Sequence, residues 1–348
     1  MRALTVVPGQ RASARLEEVA EPPRDDGAVL VETLMVGVCG TDREIVGGSY
    51  GAPPSGRERL IVGHESAGRV LEAPAEAGFS RGDLVVGIVR RPDPVPCLNC
   101  AVGEWDMCRN GRYTERGIKQ RDGYASERFR IEPEYAVRLP PTLARVAVLV
   151  EPTSIVAKAW EHVEHIGRRA RWRPSRVLVT GAGPIGLLAA MIGVQRGLEV
   201  HVLDRVTDGP KPHLVADIGA TYHVGAVAEA CPEPDVVIEC TGAGQVVLDA
   251  MAGTGRGGIV CLTGISSGRH ELDLDAAALN RALVLENDVV FGSVNANRRH
   301  YEAATEALEH ADARWLEQLI SRRVPLPRWA EALEQRPEDV KVVIDFTA

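Results

Sequence analysis

The chain has 348 residues, enough for two domains with substantial cores, and its apolar (45%) and charged (25%) fractions are ordinary for a globular protein. Its formal net charge is −8 and it has no basic block, which disfavours nucleic acid or an anionic membrane as a partner. No apolar run approaches the roughly 20 residues of a membrane span, and the first residues lack the apolar core of a signal peptide. The seven cysteines are unevenly clustered, unlike a secreted disulfide framework. We therefore expect a cytoplasmic protein.

The first part of the chain is predicted to be β-rich. Short apolar runs alternate there with glycine and proline turns, at residues 28–36, 67–71, 84–89 and 135–139. The pattern then changes, because the apolar residues over 155–166 recur at the spacing of a helix.

Strand and helix signals alternate in the second part of the chain. The predicted elements are strands at 177–180, 200–203, 235–239, 258–262 and 289–294 and helices at 187–195 and 246–252. This alternation is typical of a doubly wound parallel sheet. A helix at 301–308 and a last strand at 340–346 follow, and nothing in the pattern nearby predicts a parallel partner for that strand. We predict an α/β chain in which a Rossmann domain, 156–296, is inserted into a discontinuous β-rich domain, 1–155 and 297–348.

The most specific motif is Gly181-Ala182-Gly183-Pro184-Ile185-Gly186, which joins a predicted strand to a predicted helix. Gly181 permits a tight turn, Gly183 lets backbone approach a pyrophosphate, and Gly186 lets helix and strand pack closely. The next predicted strand ends in Asp204, at the distance expected for a ribose-binding acid. The arrangement predicts a dinucleotide site at a helix N-terminus. The alternative is a glycine turn that only packs a helix.

Three short segments carry residue types that bind zinc. Cys39, His64 and Glu151 supply sulfur, nitrogen and oxygen donors, each beside a glycine or proline where a turn is expected. Taken singly, a buried cysteine or a structural histidine is the simpler interpretation. All three occur before the dinucleotide motif, and this combination favours a catalytic zinc site with a position left for water or substrate.

These motifs together resemble the zinc-dependent medium-chain dehydrogenase/reductase superfamily, over essentially the whole chain. The segments 89–92 (Val-Arg-Arg-Pro), 115–118 (Glu-Arg-Gly-Ile), 151–155 (Glu-Pro-Thr-Ser-Ile) and 292–295 (Gly-Ser-Val-Asn) narrow the resemblance to its archaeal-type glucose 1-dehydrogenase branch. The resemblance implies that the β-rich domain is GroES-like.

The resemblance also implies roles for individual residues. Cys39, His64 and Glu151 would hold the catalytic zinc, and Glu65 would lie beside it and could exchange with Glu151. Thr41 would bond the reacting hydroxyl and begin the proton path. Substrate contacts are implied for Thr41, Glu115, Glu151 and Asn295. Two polar sugar contacts found in part of the branch are replaced here by Val89 and Ile155.

Cofactor contacts are implied at the nucleotide fingerprint and at a few positions beyond it, namely Gly181, Gly183, Pro184, Ile185, Gly186, Asp204, Arg205, Thr263, Ser293 and Asn295. Asp204 would accept hydrogen bonds from the adenosine ribose and repel a 2′-phosphate. NADP-using relatives carry a small or neutral residue there, often before two arginines, whereas this chain continues Arg205-Val206. We expect NAD to be preferred, with NADP use left open.

A second cysteine group, Cys97, Cys100 and Cys108, resembles the lobe that binds a structural zinc through four cysteines in relatives. The first of the four is absent here, and Asp93 is the nearest substitute ligand. The alternative is a lobe that closes without metal.

The sequence therefore predicts a zinc-dependent, NAD-preferring oxidoreductase that converts an aldose, by default glucose, to its lactone. A polyol or secondary-alcohol dehydrogenase with the same zinc and nucleotide machinery is the alternative enzyme. A nucleotide-binding scaffold without catalysis is disfavoured, because a scaffold needs none of Cys39, His64, Glu151 and Thr41. Relatives pair nucleotide-domain edge strands, which implies a homodimer or homotetramer through residues 288–292.

Overall fold

The computed structural model describes residues 1–266 and 271–348. These residues form two compact units. The split unit consists of Met1–Ser154 and Asn295–Ala348, and the inserted unit consists of Ile155–Val294. The sequence places the corresponding boundaries at 155/156 and 296/297. No helix in the described part of the chain is long and apolar enough to cross a membrane.

The split unit is rich in β-strands, which are labelled here in chain order. They are β1 (Arg2–Val6), β2 (Arg15–Glu18), β3 (Val29–Val38), β4 (Leu60–Ile61), β5 (Glu65–Glu72), β6 (Leu84–Gly87), β7 (Arg90–Arg91), β8 (Thr114–Arg116), β9 (Gln120–Arg121), β10 (Arg128–Ile131), β11 (Ala136–Leu139), β18 (Ile320–Pro325) and β19 (Lys341–Asp345). Its helices are α1 (Gly40–Val46), α2 (Leu98–Ala101), α9 (Arg298–Glu309), α10 (Ala313–Leu319) and α11 (Trp329–Leu333).

The largest sheet of the split unit has the order β11-β6-β5-β3-β19-β18, and β10 also pairs with β3. The long strand β3 lies between β5 and β19 and is antiparallel to both, so Gly37 is opposite Glu65 on one side and Val343 on the other. This register brings the start of β5 and the end of β3 to the same edge of the sheet.

The last strand, β19, has a parallel partner that the sequence pattern did not indicate. β19 pairs in parallel with β18, and Ile344 lies opposite Val324. The segment that forms β18 reads Ile-Ser-Arg-Arg-Val-Pro, so two adjacent arginines interrupt the strand alternation and a proline ends it. Tertiary contacts satisfy those arginines: Arg322 Nη2 lies 2.6 Å from Asp339 Oδ2, and Arg323 donates to the carbonyl of Arg145.

The inserted unit contains strands β12 (Arg176–Thr180), β13 (Glu199–Leu203), β14 (Thr221–His223), β15 (Val236–Glu239), β16 (Ile259–Leu262) and β17 (Val289–Gly292). Its helices are α4 (Pro184–Gln195), α5 (Pro210–Asp217), α6 (Val227–Ala230), α7 (Gly244–Ala252) and α8 (Ala276–Glu286), and α3 (Val150–Gly167) leads into it. Within residues 155–266 and 271–294, these strands form one parallel sheet in the order β14-β13-β12-β15-β16-β17. That order is the doubly wound Rossmann arrangement, which confirms the predicted fold class.

Helix α3 begins earlier than the apolar periodicity indicates. It starts at Val150 rather than at residue 155, after a short 3-10 turn over Ala147–Leu149. The expected proline turn beside Glu151 is therefore wrong, because Pro152 lies in the first turn of the helix. Proline is tolerated there, since the first turn has no intrahelical acceptor for its missing N–H.

Candidate active site

A thiol, an imidazole and a carboxylate converge at one edge of the split-unit sheet. Cys39 follows β3 directly, while His64 and Glu65 mark the start of the neighbouring strand β5. Cys39 Sγ lies 3.2 Å from His64 Nε2, and the ligand atoms of the three residues lie within 4.8 Å of one another. His64 and Glu65 are buried. The structure therefore brings three of the predicted ligands together.

Asp42, which the sequence interpretation left without a role, orders the first two of these groups. Its Oδ2 accepts a hydrogen bond from the backbone N–H of Cys39 at 2.9 Å, and its Oδ1 lies 3.3 Å from His64 Nδ1. Burial opposes ionisation of Asp42, but the charge of His64 and the hydrogen bonds from His64 and Cys39 together outweigh it and lower the carboxyl pKa. Burial likewise opposes the imidazolium form of His64, yet Cys39 and Asp42 raise the His64 pKa well above its ordinary value. The signal was present in the sequence, since Asp42 is the third residue after Cys39.

Lys341 fixes the third member of the cluster. Its Nζ lies 2.6 Å and 2.7 Å from the two carboxylate oxygens of Glu65, and both side chains are buried. Burial tends to lower the Lys341 pKa, but Glu65, Cys39 and Glu151 together more than compensate and the pKa is raised. Gly37 makes room for this pair, because a Cβ atom there would lie 1.9 Å from Glu65 Oε2. The lysine was not predicted, since nothing local distinguishes a lysine at the start of an apolar strand.

Thr41 lies on helix α1, which follows Cys39 directly, and Glu151 lies on helix α3. Glu151 is in the first turn of α3 and is buried, and burial raises the pKa of its carboxyl group. The nearby Glu65 carboxylate raises this pKa further, whereas His64 and Lys341 lower it. Within the described residues, the Glu151 carboxylate is outside the 4.8 Å group of Cys39, His64 and Glu65. Thr41 is half-buried in the first turn of α1.

Glu115 and Asn295 are brought into direct contact although they are far apart in the chain. Asn295 Nδ2 donates to Glu115 Oε1 at 2.7 Å, and both residues are buried. Asn295 adopts a left-handed backbone conformation, φ 64°, in which its Oδ1 accepts from the N–H of Ala296. Val89 is buried at 3% exposure.

The sulfur atoms of Cys97, Cys100 and Cys108 also lie within 4.8 Å of one another. Among the described residues, Asp93 is not part of this group. Its carboxylate instead accepts from the N–H of Val95 at 2.8 Å and from Arg112 Nε at 3.2 Å. Backbone N–H groups, first that of Arg109, lower the pKa of the Cys97 thiol and favour its thiolate.

The glycine fingerprint forms a cradle at the N-terminus of α4. Gly181 has φ +91°, and a Cβ atom at Gly186 would lie 1.8 Å from the carbonyl oxygen of Gly181. At Gly183, by contrast, a Cβ atom would meet no atom within 4 Å. Pro184 and Ile185 then begin α4. The loop leaves open space next to unpaired helix N–H groups, which is the arrangement that suits a diphosphate.

Asp204 lies against this loop with both oxygens engaged. Its Oδ2 accepts from the N–H of Ala182 at 2.7 Å and from Lys211 Nζ at 3.1 Å, and its Oδ1 accepts from the N–H of Val206 at 3.1 Å. Partial burial opposes ionisation, but the Ala182 N–H and Lys211 more than offset it, and the pKa of Asp204 is lowered. Lys211, on α5, was not identified from the sequence.

Three further predicted cofactor residues belong to the inserted unit. Arg205 is exposed. Thr263 Oγ1 donates to the carbonyl of Glu239 at 2.8 Å. Ser293 is buried, and its hydroxyl has no hydrogen-bond partner among the residues the structure describes.

The fold and the two groups of possible metal ligands, Cys39/His64/Glu65 and Cys97/Cys100/Cys108, are typical of medium-chain dehydrogenases. Comparisons with known proteins agree. Residues 25–141 match the alcohol dehydrogenase GroES-like domain, and residues 144–346 match the glucose dehydrogenase C-terminus. Glucose 1-dehydrogenase from Methanocella arvoryzae is 41% identical over 100% of both chains, and that from Thermoproteus tenax is 41% identical over 99% of both. Haloferax mediterranei glucose dehydrogenase, in a structure with NADP, Zn and gluconolactone, superimposes with a TM-score of 0.92, 32% identity and 100% coverage of both chains.

The chain therefore belongs to the archaeal-type glucose 1-dehydrogenase branch of the zinc-dependent medium-chain dehydrogenase/reductase superfamily, which confirms the resemblance seen in its sequence.

The two glycines of the fingerprint are expected to respond differently to alanine. Gly186→Ala places a methyl group against a backbone carbonyl and should lower the free energy of unfolding by about 2–4 kcal/mol. Gly183→Ala meets no atom, so it should change stability by less than about 0.5 kcal/mol, yet weaken dinucleotide binding at least about tenfold by obstructing the pyrophosphate. Denaturant unfolding and calorimetric titration measure the two effects. Parent-like dinucleotide affinity in Gly183→Ala would contradict this interpretation of the loop.

Proposed function

We propose that the chain is a zinc-dependent glucose 1-dehydrogenase, which oxidises the C1 carbon of glucose to the lactone and transfers a hydride to a nicotinamide dinucleotide. The observation that carries the proposal is the group of Cys39 with the buried His64 and Glu65, in which Cys39 Sγ lies 3.2 Å from His64 Nε2. Full-length similarity at 41% identity to glucose 1-dehydrogenases supports glucose as the substrate.

The donor set fits zinc. Cys39, His64 and Glu151 would hold the ion, with Glu65 beside it, and sulfur, nitrogen and oxygen donors are all acceptable to this metal. The buried acids Asp42, Glu65 and Glu151 outnumber the nearby cations His64 and Lys341, which favours an additional positive charge. Asp42 faces the imidazole nitrogen remote from Cys39, as carboxylates commonly do behind metal-binding histidines. A bound zinc supplies Lewis-acid polarisation of the C1 hydroxyl, and a bound nicotinamide supplies the hydride acceptor.

Proton transfer and substrate positioning are carried out by side chains of this protein. The Thr41 hydroxyl accepts the proton of the C1 hydroxyl and passes it toward solvent, while the C1–H bond gives up a hydride. Glu115, Asn295 and Glu151 contact the other sugar hydroxyls and hold C1 in place. Such positioning lowers the entropic part of the barrier.

We further propose that NAD is the preferred cofactor and that NADP is used less well. Fingerprint residues 181–186 with Asp204, Arg205, Thr263, Ser293 and Asn295 would form the dinucleotide contacts. The Asp204 pKa is lowered, so a carboxylate would face the adenosine ribose and repel a 2′-phosphate. Lys211 Nζ lies 3.1 Å from Asp204 Oδ2, so its charge would act against that repulsion.

We also propose a cytoplasmic homodimer or homotetramer. None of the seven cysteines forms a disulfide, as is usual in a reducing compartment. Strand β17 ends the sheet of the inserted unit, and Val284 and Leu285 on α8 are 65% and 72% exposed. A sheet edge with no further strand among the described residues, together with exposed apolar side chains on α8, favours pairing with a second copy.

The purified, zinc-loaded protein should reduce NAD with D-glucose and form gluconolactone, and a chelator should abolish the reaction reversibly. His64→Ala should lower kcat/KM about a thousandfold or more, because several kcal/mol of charge stabilisation are lost, and should also lower bound zinc. His310→Ala changes an exposed histidine on the same unit and serves as the control. Full activity of His64→Ala after chelation would sink the proposal.

The cysteine lobe is expected to hold a second, structural zinc, with Asp93 moving in as fourth ligand. The protein should then bind about two zinc ions per chain, and Cys100→Ser should bind about one and unfold at a lower temperature. Cys231→Ser, another buried cysteine, should lower stability without changing the zinc content. One zinc per chain in both the parent and Cys100→Ser would rule the lobe site out.

Asp204→Gly should shift cofactor preference toward NADP. Removing the carboxylate takes away a repulsion of roughly one to a few kcal/mol, or about tenfold in relative kcat/KM. Adding Val206→Arg should extend the shift, because a second guanidinium can bind the phosphate. Kinetics with both cofactors at saturating glucose measure the ratio, and Asp208→Gly, an exposed neighbour, is the control. A parent that already prefers NADP, or a ratio unchanged by Asp204→Gly, would show that Asp204 is not at the ribose.

A further inference from the structure

Glu115 is held by three hydrogen bonds that all reach one of its two carboxylate oxygens. Arg90 Nε donates to Glu115 Oε1 at 3.1 Å, Arg90 Nη2 donates to it at 3.0 Å, and Asn295 Nδ2 donates to it at 2.7 Å. The strand register creates the first contact, because β7 and β8 pair antiparallel with Arg90 directly opposite Glu115.

Arg90 is itself fixed on its remaining sides. Its guanidinium carbon lies 3.6 Å from the centroid of the Tyr113 ring, and its Nη1 donates to the carbonyl of Asp106 at 2.9 Å. The side chain is 6% exposed. A planar guanidinium that is stacked and hydrogen-bonded in this way holds its partner in one orientation, which a lysine cannot reproduce.

The other oxygen of the carboxylate is left open. Glu115 Oε2 accepts no hydrogen bond from any residue the structure describes. It is also not one of the polar atoms that are fully buried without a partner, so it remains accessible. The lone pairs of Oε2 are therefore available to a further donor. Glu115 therefore presents one free, oriented acceptor, while its charge is already balanced by Arg90. Such an acceptor suits a neutral hydroxyl donor.

We propose that Arg90 is a positioning residue for sugar recognition: it binds Oε1 of Glu115 so that Oε2 is aimed at a single hydroxyl of the aldose. This role rests on the proposed function, which assigns Glu115 to the sugar. A buried acceptor built for a hydroxyl discriminates strongly against an analogue that lacks it, because the acceptor is then left unpaired.

The test compares kcat/KM for glucose with kcat/KM for its 2-, 3-, 4- and 6-deoxy analogues. The parent should disfavour one of these analogues by about tenfold to a hundredfold. In Arg90→Gln that ratio should fall to about threefold or less. The loss should appear mainly as a higher KM for glucose, and Arg90→Lys should restore the ratio only in part.

Arg91→Gln is the matched control. Arg91 is the adjacent residue of β7 and equally buried, but it pairs with Glu132 at 2.9 Å rather than with Glu115. This variant should keep the parent's discrimination, with thermal unfolding reporting the stability of each variant. If Arg90→Gln does not fold, Arg90→Lys carries the test.

Three results would overturn the positioning role: full discrimination retained by the folded Arg90 variant, the same loss in Arg91→Gln, or a parent that uses all the deoxy sugars as well as glucose. These differ from failure of the proposed function, in which the parent would oxidise no aldose at all.

Discussion

The arrangement of Cys39, His64 and Glu65 depends on the buried ion pair between Glu65 and Lys341. Glu65 begins β5 and Lys341 begins β19, and these strands lie on opposite sides of β3. The pair therefore ties the C-terminal strand to the N-terminal sheet beside Cys39, which follows β3. Breaking a buried pair typically costs roughly 3–5 kcal/mol, because the remaining charge is left uncompensated. Glu65 is thus held in place before any ligand arrives.

The same electrostatic reasoning extends to the neighbouring groups. His64 sits between the Cys39 sulfur and Asp42, and its pKa is raised well above the ordinary value because both partners favour positive charge. A site that stabilises an imidazolium in a buried setting is a site that stabilises a cation. A divalent ion bound to the same thiol and imidazole would provide that charge in place of the proton.

Much of the fold could be predicted because its signals are local. The fingerprint and Asp204 predicted the nucleotide loop, and the alternating strand and helix signals predicted the doubly wound sheet. Cys39, His64 and Glu65 could be grouped through motif resemblance, and the structure brings them together.

Other features were missed, either because a local signal was misinterpreted or because they depend on long-range contacts that local sequence does not encode. The start of α3 was placed too late, because Pro152 was taken as a turn residue and not as part of a first helical turn. Strand β18 was not recognised, because its arginines find partners only in the folded chain. Lys341 went unnoticed for the same reason, because it acts through a carboxylate far away in sequence. Arg90 belongs to the 89–92 motif, but its contact with Glu115 depends on strand pairing and gave it no separate role in the sequence.

X-ray absorption at the zinc edge tests the central claim, that Cys39 and His64 form the catalytic metal site, most directly. The measurement is best made on a Cys97→Ser/Cys100→Ser/Cys108→Ser variant, in which the lobe has no thiol left to bind zinc. The account predicts one zinc per chain, with a single sulfur ligand at about 2.3 Å and nitrogen or oxygen ligands at about 2.0–2.2 Å. Retained zinc with no sulfur ligand, or no retained zinc in the folded variant, would contradict it.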